Sequence, residues 1–235
     1  MRYWIVMPAA GVGRRFGSAK QYALLGDRTV LATALQVFLD DPQCQGGSLL
    51  LASDDPQRGE LAAALPARIA VIDGGAERAH SVRNGLRSLA ARAGADDWVL
   101  VHDAVRPALS AADLQRLLHH GGGDCVGALL AAPVADTVKR AHAGGADSGV
   151  RRCEGTLPRE SLWLAQTPQM FRYAPLRSAL ERTLADGRTP TDEAQAMEWA
   201  GHAPLLVQAR DSNLKITTAA DLPMLEAILR QRTTQ

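Results

Sequence analysis

Near its N-terminus the chain reads Ile5-Val6-Met7-Pro8-Ala9-Ala10-Gly11-Val12-Gly13-Arg14-Arg15-Phe16-Gly17-Ser18-Ala19-Lys20. A short apolar run leads into a glycine-containing turn, and the cations Arg14, Arg15 and Lys20 follow it. That order of residue types suits a polyphosphate. Gly11 and Gly13 let the main chain pass close to a ligand and adopt φ > 0 without a Cβ clash, and successive N–H groups in such a turn form an anion-binding nest. Two familiar phosphate loops fail on spacing. The G-x-G-x-x-G pattern needs glycine where the chain has Phe16, and the P-loop needs Gly-Lys-Ser/Thr together, whereas Gly17 is followed by Ser18 and Ala19 before Lys20. The loop is a phosphate cradle of a third kind. A tight turn with incidental surface charge is the bland alternative, and the cluster of cations argues against it.

The elements that must hold this loop are legible as alternating patterns. Apolar runs bounded by turn residues recur at Ile5–Met7, Ser48–Ala52, Ile69–Ile72, Trp98–Val101, Asp124–Ala131 and Pro204–Gln208, each reading as a strand buried on both faces. Helical periodicity lies between and after them, at Val30–Leu39, Arg58–Leu65, Ser81–Ala93, Ala112–His119, Pro175–Ala185, Glu193–Ala200 and Leu222–Leu229. The alternation predicts an α/β fold, a mostly parallel sheet with right-handed crossovers, in which ligands sit beyond the carboxyl ends of the strands. Unusual polar residues collect in the loops at those ends: Gly11–Lys20, Asp73-Gly74-Gly75-Ala76-Glu77-Arg78, and His102-Asp103-Ala104-Val105-Arg106-Pro107. Their common placement predicts one shared pocket.

Residues Pro133 to Arg159 break the rhythm. Asp136–Arg140 and Val150–Cys153 flank a glycine-rich turn and read as a two-stranded hairpin of low apolar content. Such a hairpin is marginal alone in water, so it is expected to pack on something, a second subunit being the natural candidate. The chain is read as a single domain over 1–235, with a dimerisation arm at about 134–160.

Composition narrows the classes. A chain of 235 residues with 46% hydrophobic content can bury a full core. Lys+Arg 26 against Asp+Glu 25 leaves a net charge of +1, so no overall field draws nucleic acid or an anionic membrane, and neither is expected as a partner. Cys44, Cys125 and Cys153 form neither a C-x-x-C pair nor a disulfide framework, which fits a reducing cytoplasm. The N-terminal apolar run ends at Pro8, too short for a signal peptide, and no stretch approaches a membrane span. The four tryptophans are dispersed, as packing residues are, and His119-His120 sits where a helix C-terminal dipole favours it.

Seven motifs occur in order: Pro8–Arg15 with Lys20-Gln21-Tyr22; Gly74-Gly75-x-x-Arg78-x-x-Ser81-Val82; Val101–Pro107; Ala132-Pro133-Val134-x-Asp136-Thr137-Val138-Lys139; Gln166-Thr167-Pro168-Gln169; Thr191-Asp192-Glu193-Ala194; and Asn213-Leu214-Lys215-Ile216-Thr217. In register, they resemble the 2-C-methyl-D-erythritol 4-phosphate cytidylyltransferases of the non-mevalonate isoprenoid pathway, from about residue 3 to residue 229. The resemblance implies a Rossmann-like domain of the nucleotide-diphospho-sugar-transferase type. It also implies cytidylyl transfer from CTP to methylerythritol phosphate, with Mg²⁺, giving 4-diphosphocytidyl-2-C-methyl-D-erythritol and pyrophosphate.

By the same resemblance, Arg15 and Lys20 match the pair that stabilises the α-phosphate and the leaving pyrophosphate, and Arg159 and Lys215 match the pair that holds the incoming phosphate in line. Pro8, Ala9, Ala10, Gly11, Gly13, Gly75, Arg78, Ser81, Asp103 and Ala104 match nucleotide-binding positions, and Asp103 is also the candidate Mg²⁺ ligand. Arg106, Thr137, Thr167 and Thr191 match contacts to the polyol phosphate. In the family the arm interlocks a homodimer and delivers the residues matching Thr137 and Arg159 into the neighbouring site. Three departures stand out: Ala19 replaces the usual proline before the loop lysine, the loop is slightly shorter than typical of the family, and Val105 replaces a customary alanine.

The chemistry agrees with the absence of a His-Asp or Cys-His signature. A phosphate monoester has its second pKa near 6, so about nine-tenths of the nucleophile is dianionic at pH 7 and needs no base; what it needs is charge neutralisation. Two other readings share much of this pattern. One is a cytidylyltransferase for another polyol phosphate such as ribitol 5-phosphate, which differs in the substrate-facing residues. The other is a non-catalytic nucleotide-binding dimer, whose mark would be a missing cation at position 20 or 215; Lys20 and Lys215 are both present.

Overall fold

The computed structural model describes residues 1–11, 19–142, 149–210 and 212–233. Along these the chain runs β1 (Tyr3–Pro8), the short pair β2 (Leu24–Leu25) and β3 (Arg28–Thr29), α1 (Val30–Leu39), β4 (Cys44–Leu51), α2 (Arg58–Ala64), β5 (Ile69–Asp73), α3 (Arg78–Ser88), β6 (Trp98–Val101), α4 (Ala111–Gly122) and β7 (Gly127–Pro133). The hairpin β8 (Val138–Ala141) and β9 (Cys153–Leu157) then interrupts the alternation, before β10 (Trp163–Arg172), α5 (Tyr173–Ala185), α6 (Glu193–Trp199), β11 (Leu205–Gln208) and α7 (Leu222–Thr233).

Seven strands form one sheet in the order β11-β7-β10-β6-β1-β4-β5. Strand β1 pairs in parallel with β4 and β6, β4 with β5, and β11 with β7. Strand β10 alone runs antiparallel, between β6 and β7. The apolar pattern did not announce it, because Gln166-Thr167-Pro168-Gln169 interrupts the run, and its register against β7 shifts between Ala165 and Gln169. That strand brings Gln169 opposite Val101, the last residue of β6, and so to the rim where the parallel strands end.

Side-chain alternation divides the core into two layers, as it must when both faces of a sheet are covered. On one side Tyr3, Ile5 and Met7 of β1 pack with Leu31, Leu35 and Phe38 of α1 and with Leu114 and Leu117 of α4. On the other, Val6 packs with Val82 and Leu86 of α3, Leu176 and Leu180 of α5, and Met197 of α6. A smaller cluster under α7 joins Leu225 to Leu25, Val30, Ala108 and Ile216. Thr29, Ser110 and Asp192 cap α1, α4 and α6 by accepting hydrogen bonds from the N–H groups of Ala32, Asp113 and Gln195.

Two expectations need correction. β11 is an edge strand, with Leu205 41% and Leu206 48% exposed, so it is not covered on both faces. The hairpin strands lie later than their composition suggested: β8 opens at Val138, and it is Cys153–Leu157, not Val150–Cys153, that pairs with it. Thr156 explains part of the shift, since its hydroxyl accepts a hydrogen bond from the Lys139 ammonium at 2.6 Å.

The placement of α3 depends on a glycine. A Cβ built on Gly85 would come within 2.6 Å of Val6 Cγ1 and 3.0 Å of Leu50 Cδ2, so the helix lies directly on β1 and β4 at this point. Gly85→Ala is expected to gain about 1 kcal/mol of helix propensity and lose about 1–3 kcal/mol to overpacking, a net destabilisation. Denaturant unfolding measures it; an unchanged or raised midpoint would contradict the close contact.

Candidate functional site

The loops at the carboxyl ends of β1, β5 and β6 meet around a cavity of about 210 Å³, lined among others by Pro8, Ala9, Ala10, Gly11, Lys20, Gly75, Arg78, Ser81, Asp103, Val105 and Lys215. Their approach is steric first. A Cβ on Gly74 would meet Ala10 Cβ at 2.4 Å, so only glycine lets the β5 loop lie against the β1 loop. Gln21 ties the β1 loop back on itself, its Nε2 donating to the Ala9 carbonyl at 3.0 Å. Ser81 lines the cavity, but its hydroxyl accepts from Gly75 N–H at 2.9 Å and donates to the Glu77 carbonyl at 3.2 Å, so it shapes the glycine loop. The N-terminus of α3, which has no side-chain cap, opens onto the same space.

The irregular segment 213–217 closes the rim. Ile216 N–H donates to the Val105 carbonyl at 2.9 Å, and Arg106 Nη1 donates to the Asn213 carbonyl at 2.7 Å. Asn213 Nδ2 in turn donates to the Thr167 carbonyl at 2.7 Å, tying the segment to β10. Lys20 Nζ donates to the Ile216 carbonyl at 2.9 Å. Lysines nearly 200 residues apart thus share one wall of the cavity.

Charge in the cavity is organised in a row. Lys215 Nζ lies 2.7 Å from Asp103 Oδ2, and Arg78 Nε lies 2.8 Å from Asp103 Oδ1. Beyond Arg78, Nη1 and Nη2 reach the two oxygens of Glu193 at 2.7 and 3.0 Å. Burial alone would raise the Asp103 carboxyl, but Arg78 and Lys215 outweigh it and hold it well below the usual carboxylate range. Burial likewise opposes the Arg78 charge, and Glu193 and Asp103 outweigh it in the same way, leaving the guanidinium firmly protonated.

His102 lies behind this row and is fully buried. Asp103 N–H donates to Thr167 Oγ1 at 3.0 Å, and the Thr167 hydroxyl lies 3.0 Å from His102 Nδ1. His102 Nε2 lies 3.1 Å from the Arg106 carbonyl, which can only accept. The ends therefore set the polarity: Nε2 carries the proton and Nδ1 accepts from Thr167. Burial pushes the imidazole down from 6.5 to about 4, with Asp103 offsetting only part of the effect.

The structure gathers Pro8, Ala9, Ala10, Gly11, Lys20, Gly75, Arg78, Ser81, Asp103 and Lys215 at one cavity. Gly13, Arg14 and Arg15 lie outside the described residues. Ala104 is buried in the core and Thr167 is committed to His102 and Asp103, so neither offers a side chain to the cavity. Arg106 stands behind the rim, its guanidinium turned to Asn213, and Thr191 is exposed just before α6. Thr137 and Arg159 are exposed on the arm and do not line this cavity; Arg159 Nη1 donates to the Ala135 carbonyl. The residues that sequence reasoning passed over are Glu193, Gln21, Gln169 and Asn213. Each stands inside a motif quoted for its neighbour, and no pattern says that a polar side chain is used inward.

A divalent cation would find one buried carboxylate here, Asp103. Among the described residues no group of three or more His, Cys, Asp or Glu is placed to hold a metal. One carboxylate beside a polyphosphate is a donor set that suits Mg²⁺, which takes most of its oxygens from substrate and water. Among the described residues, no helix is long and apolar enough to cross a membrane.

Over residues 3–231 the chain matches the 2-C-methyl-D-erythritol 4-phosphate cytidylyltransferase family. It is 50% identical over 227 residues to the protein of that name from Pseudomonas aeruginosa, covering 95% of this chain and 94% of the relative. It is 48% identical over 237 residues to that of Halorhodospira halophila, covering 97% and 94%. Among solved structures, the 2-C-methyl-D-erythritol 4-phosphate cytidylyltransferase of Francisella tularensis superposes with a TM-score of 0.83 at 30% identity, over 97% of this chain and all of that one. The Thermus thermophilus protein of the same name gives 0.77 at 30% identity, over 98% and 100%.

The buried neutral His102 makes stability depend on pH. As pH falls, the unfolded chain takes up this proton near 6.5 and the folded chain only near 4, so the contribution is intact above about 6.5 and is lost as pH falls toward 4. The expected loss from this group is about 3 kcal/mol. His102→Asn, whose amide oxygen can stand in for Nδ1 as acceptor from Thr167 and which does not titrate, should flatten that part of the unfolding free energy against pH; an unchanged slope would contradict the neutral assignment.

Proposed function

From its membership of the 2-C-methyl-D-erythritol 4-phosphate cytidylyltransferase family, to which the chain belongs, we propose that its cavity transfers a cytidylyl group from CTP to 2-C-methyl-D-erythritol 4-phosphate and releases pyrophosphate. The observation that carries this reading is the convergence of Lys20, Lys215, the Gly75 loop, the α3 N-terminus and Asp103 on one cavity. A triphosphate needs cations and main-chain N–H groups, and a cavity at the carboxyl ends of the strands supplies both.

In this reading the β1 loop and the glycine loop hold the nucleotide, and Lys20, with Arg15 from the same loop, faces the leaving pyrophosphate. Lys215 meets the incoming phosphate. No residue need act as base, because the nucleophile is already mostly a dianion at neutral pH, and His102, buried and neutral, does not line the cavity. Catalysis is then alignment and charge neutralisation by preorganised cations, worth several kcal/mol. Mg²⁺, which Asp103 would hold, adds neutralisation of the triphosphate.

The reading extends to assembly. Thr137 and Arg159 match substrate-binding positions yet stand exposed on the arm and do not line the cavity of their own chain. This supports a homodimer in which the arm of one protomer completes the site of the other, with each chain one cytidylyltransferase domain carrying that arm. Free Cys44, Cys125 and Cys153 are consistent with work in a reducing cytoplasm.

The test of the reaction is pyrophosphate release with CTP, Mg²⁺ and methylerythritol phosphate, run beside ribitol 5-phosphate and beside UTP. Release is expected with the first set alone; turnover of ribitol phosphate without it would overturn the substrate. For assembly, Lys20→Ala and Arg159→Ala are each expected to be nearly inactive. Mixing the two after subunit exchange should restore activity, because each mixed dimer then holds one site with both residues intact. No recovery in demonstrably mixed dimers would place Arg159 in its own chain's site.

A further inference from the structure

Glu193 is the first residue of α6, 1% exposed and outside the cavity lining. It is held rigidly. The buried amide of Gln169 grips the residues on both sides of it, Nε2 donating to Asp192 Oδ2 at 2.9 Å and Oε1 accepting Ala194 N–H at 2.8 Å. From this fixed point both Glu193 oxygens accept from the Arg78 fork, at 2.7 and 3.0 Å; burial pushes the Glu193 carboxyl up, and the two charge-assisted bonds from one guanidinium oppose that and favour the carboxylate.

A guanidinium has two bidentate edges, Nη1–Nη2 at its end and Nε–Nη2 at its side, and a carboxylate that takes both N–H groups of one edge gains more than one that takes a single N–H. Glu193 takes the end edge and sets the plane of the guanidinium, and in that orientation Arg78 meets Asp103 through Nε, at Oδ1. Asp103 Oδ2 stays out of Arg78's reach and meets Lys215 at the cavity. Without Glu193 the fork has one buried carboxylate left to satisfy it, and a bidentate pair with Asp103 would engage both oxygens.

We propose that Glu193 is a positioning residue that holds the Arg78 fork and so leaves Asp103 Oδ2 turned to the cavity, paired with Lys215 until the metal-bearing triphosphate draws that ammonium away. This rests on the reading of the cavity as the CTP site and assigns a specific task to a residue that touches no substrate. The consequence is selective. Loss of the Glu193 charge harms the metal-dependent part of nucleotide binding and spares the polyol phosphate.

Calorimetric titration of CTP into the full-length protein, with and without Mg²⁺, tests it. Glu193→Gln is expected to weaken CTP binding in Mg²⁺ about tenfold, with a change of about twofold or less in its absence and in KM for methylerythritol phosphate. Arg78→Lys keeps the charge but has no fork, so in the double variant Glu193→Gln with Arg78→Lys the benefit of Mg²⁺ should return in part. Equal losses with and without Mg²⁺, no loss, or no recovery in the double variant would overturn the proposal. If the variants do not fold, a structure of the wild type with Mg²⁺ and CTP decides: Arg78 must still fork to Glu193, and its release would overturn the proposal. Failure of the wild type to bind CTP at all is a separate result, which removes the reading of the cavity itself.

Discussion

Everything at the site depends on one cation shared between two buried carboxylates. Arg78 joins Glu193, 1% exposed, to Asp103, 7% exposed; Glu193 would be costly at that depth without it, and Asp103 would be left to Lys215. The guanidinium also spans elements: it leaves from the start of α3, reaches the loop after β6, and is met by the start of α6. Breaking it would strand the Glu193 charge and leave Asp103 half-satisfied, so its energetic weight lies less in attraction than in the penalty for losing it. A buried network of this kind is an unforgiving way to hold two helices and a loop in one arrangement.

The second constraint is mechanical. Segment 213–217 has no regular structure, yet four hydrogen bonds stitch it to the β6 loop, to β10 and to Lys20. Asn213 and Ile216 are buried and act as its pegs, which leaves Lys215 between them turned to Asp103. A flexible ammonium is thereby presented at a set place on the rim without a helix or strand beneath it. The Asp103–Thr167–His102 chain does the corresponding work from behind, fixing the Asp103 main chain with a neutral imidazole that adds no charge to the site.

Much of the fold was legible in the residues because its signals are local. Apolar runs between glycines marked β1, β4, β5 and β6, and the 3.6-residue period marked the helices to within a few residues at most ends. Strand β10 escaped because its polar middle exists to serve the rim: Thr167 and Gln169 spend their hydrogen bonds on Asp103, Asp192 and Ala194. The hairpin was found but misregistered, since nothing in a chain of polar and small residues distinguishes one pairing from the next. At the site, residues whose types speak for themselves were found, such as Lys20 and Asp103. Those whose job is to hold another residue, Glu193, Gln21 and Asn213, were not.

The sequence by itself determined the α/β class, the three polar loops at strand ends, the cations for a polyphosphate and, through motifs in register, the family. These follow from spacing along the chain, which is all that glycine turns, apolar periods and short motifs require. Only the tertiary structure decided which groups meet. That Arg78 spends its fork on Glu193, that Lys20 and Lys215 share a wall, and that Thr137 and Arg159 do not line their own chain's cavity are facts of arrangement in space. Their partners lie up to 196 residues away, and no local propensity encodes a pairing over that distance.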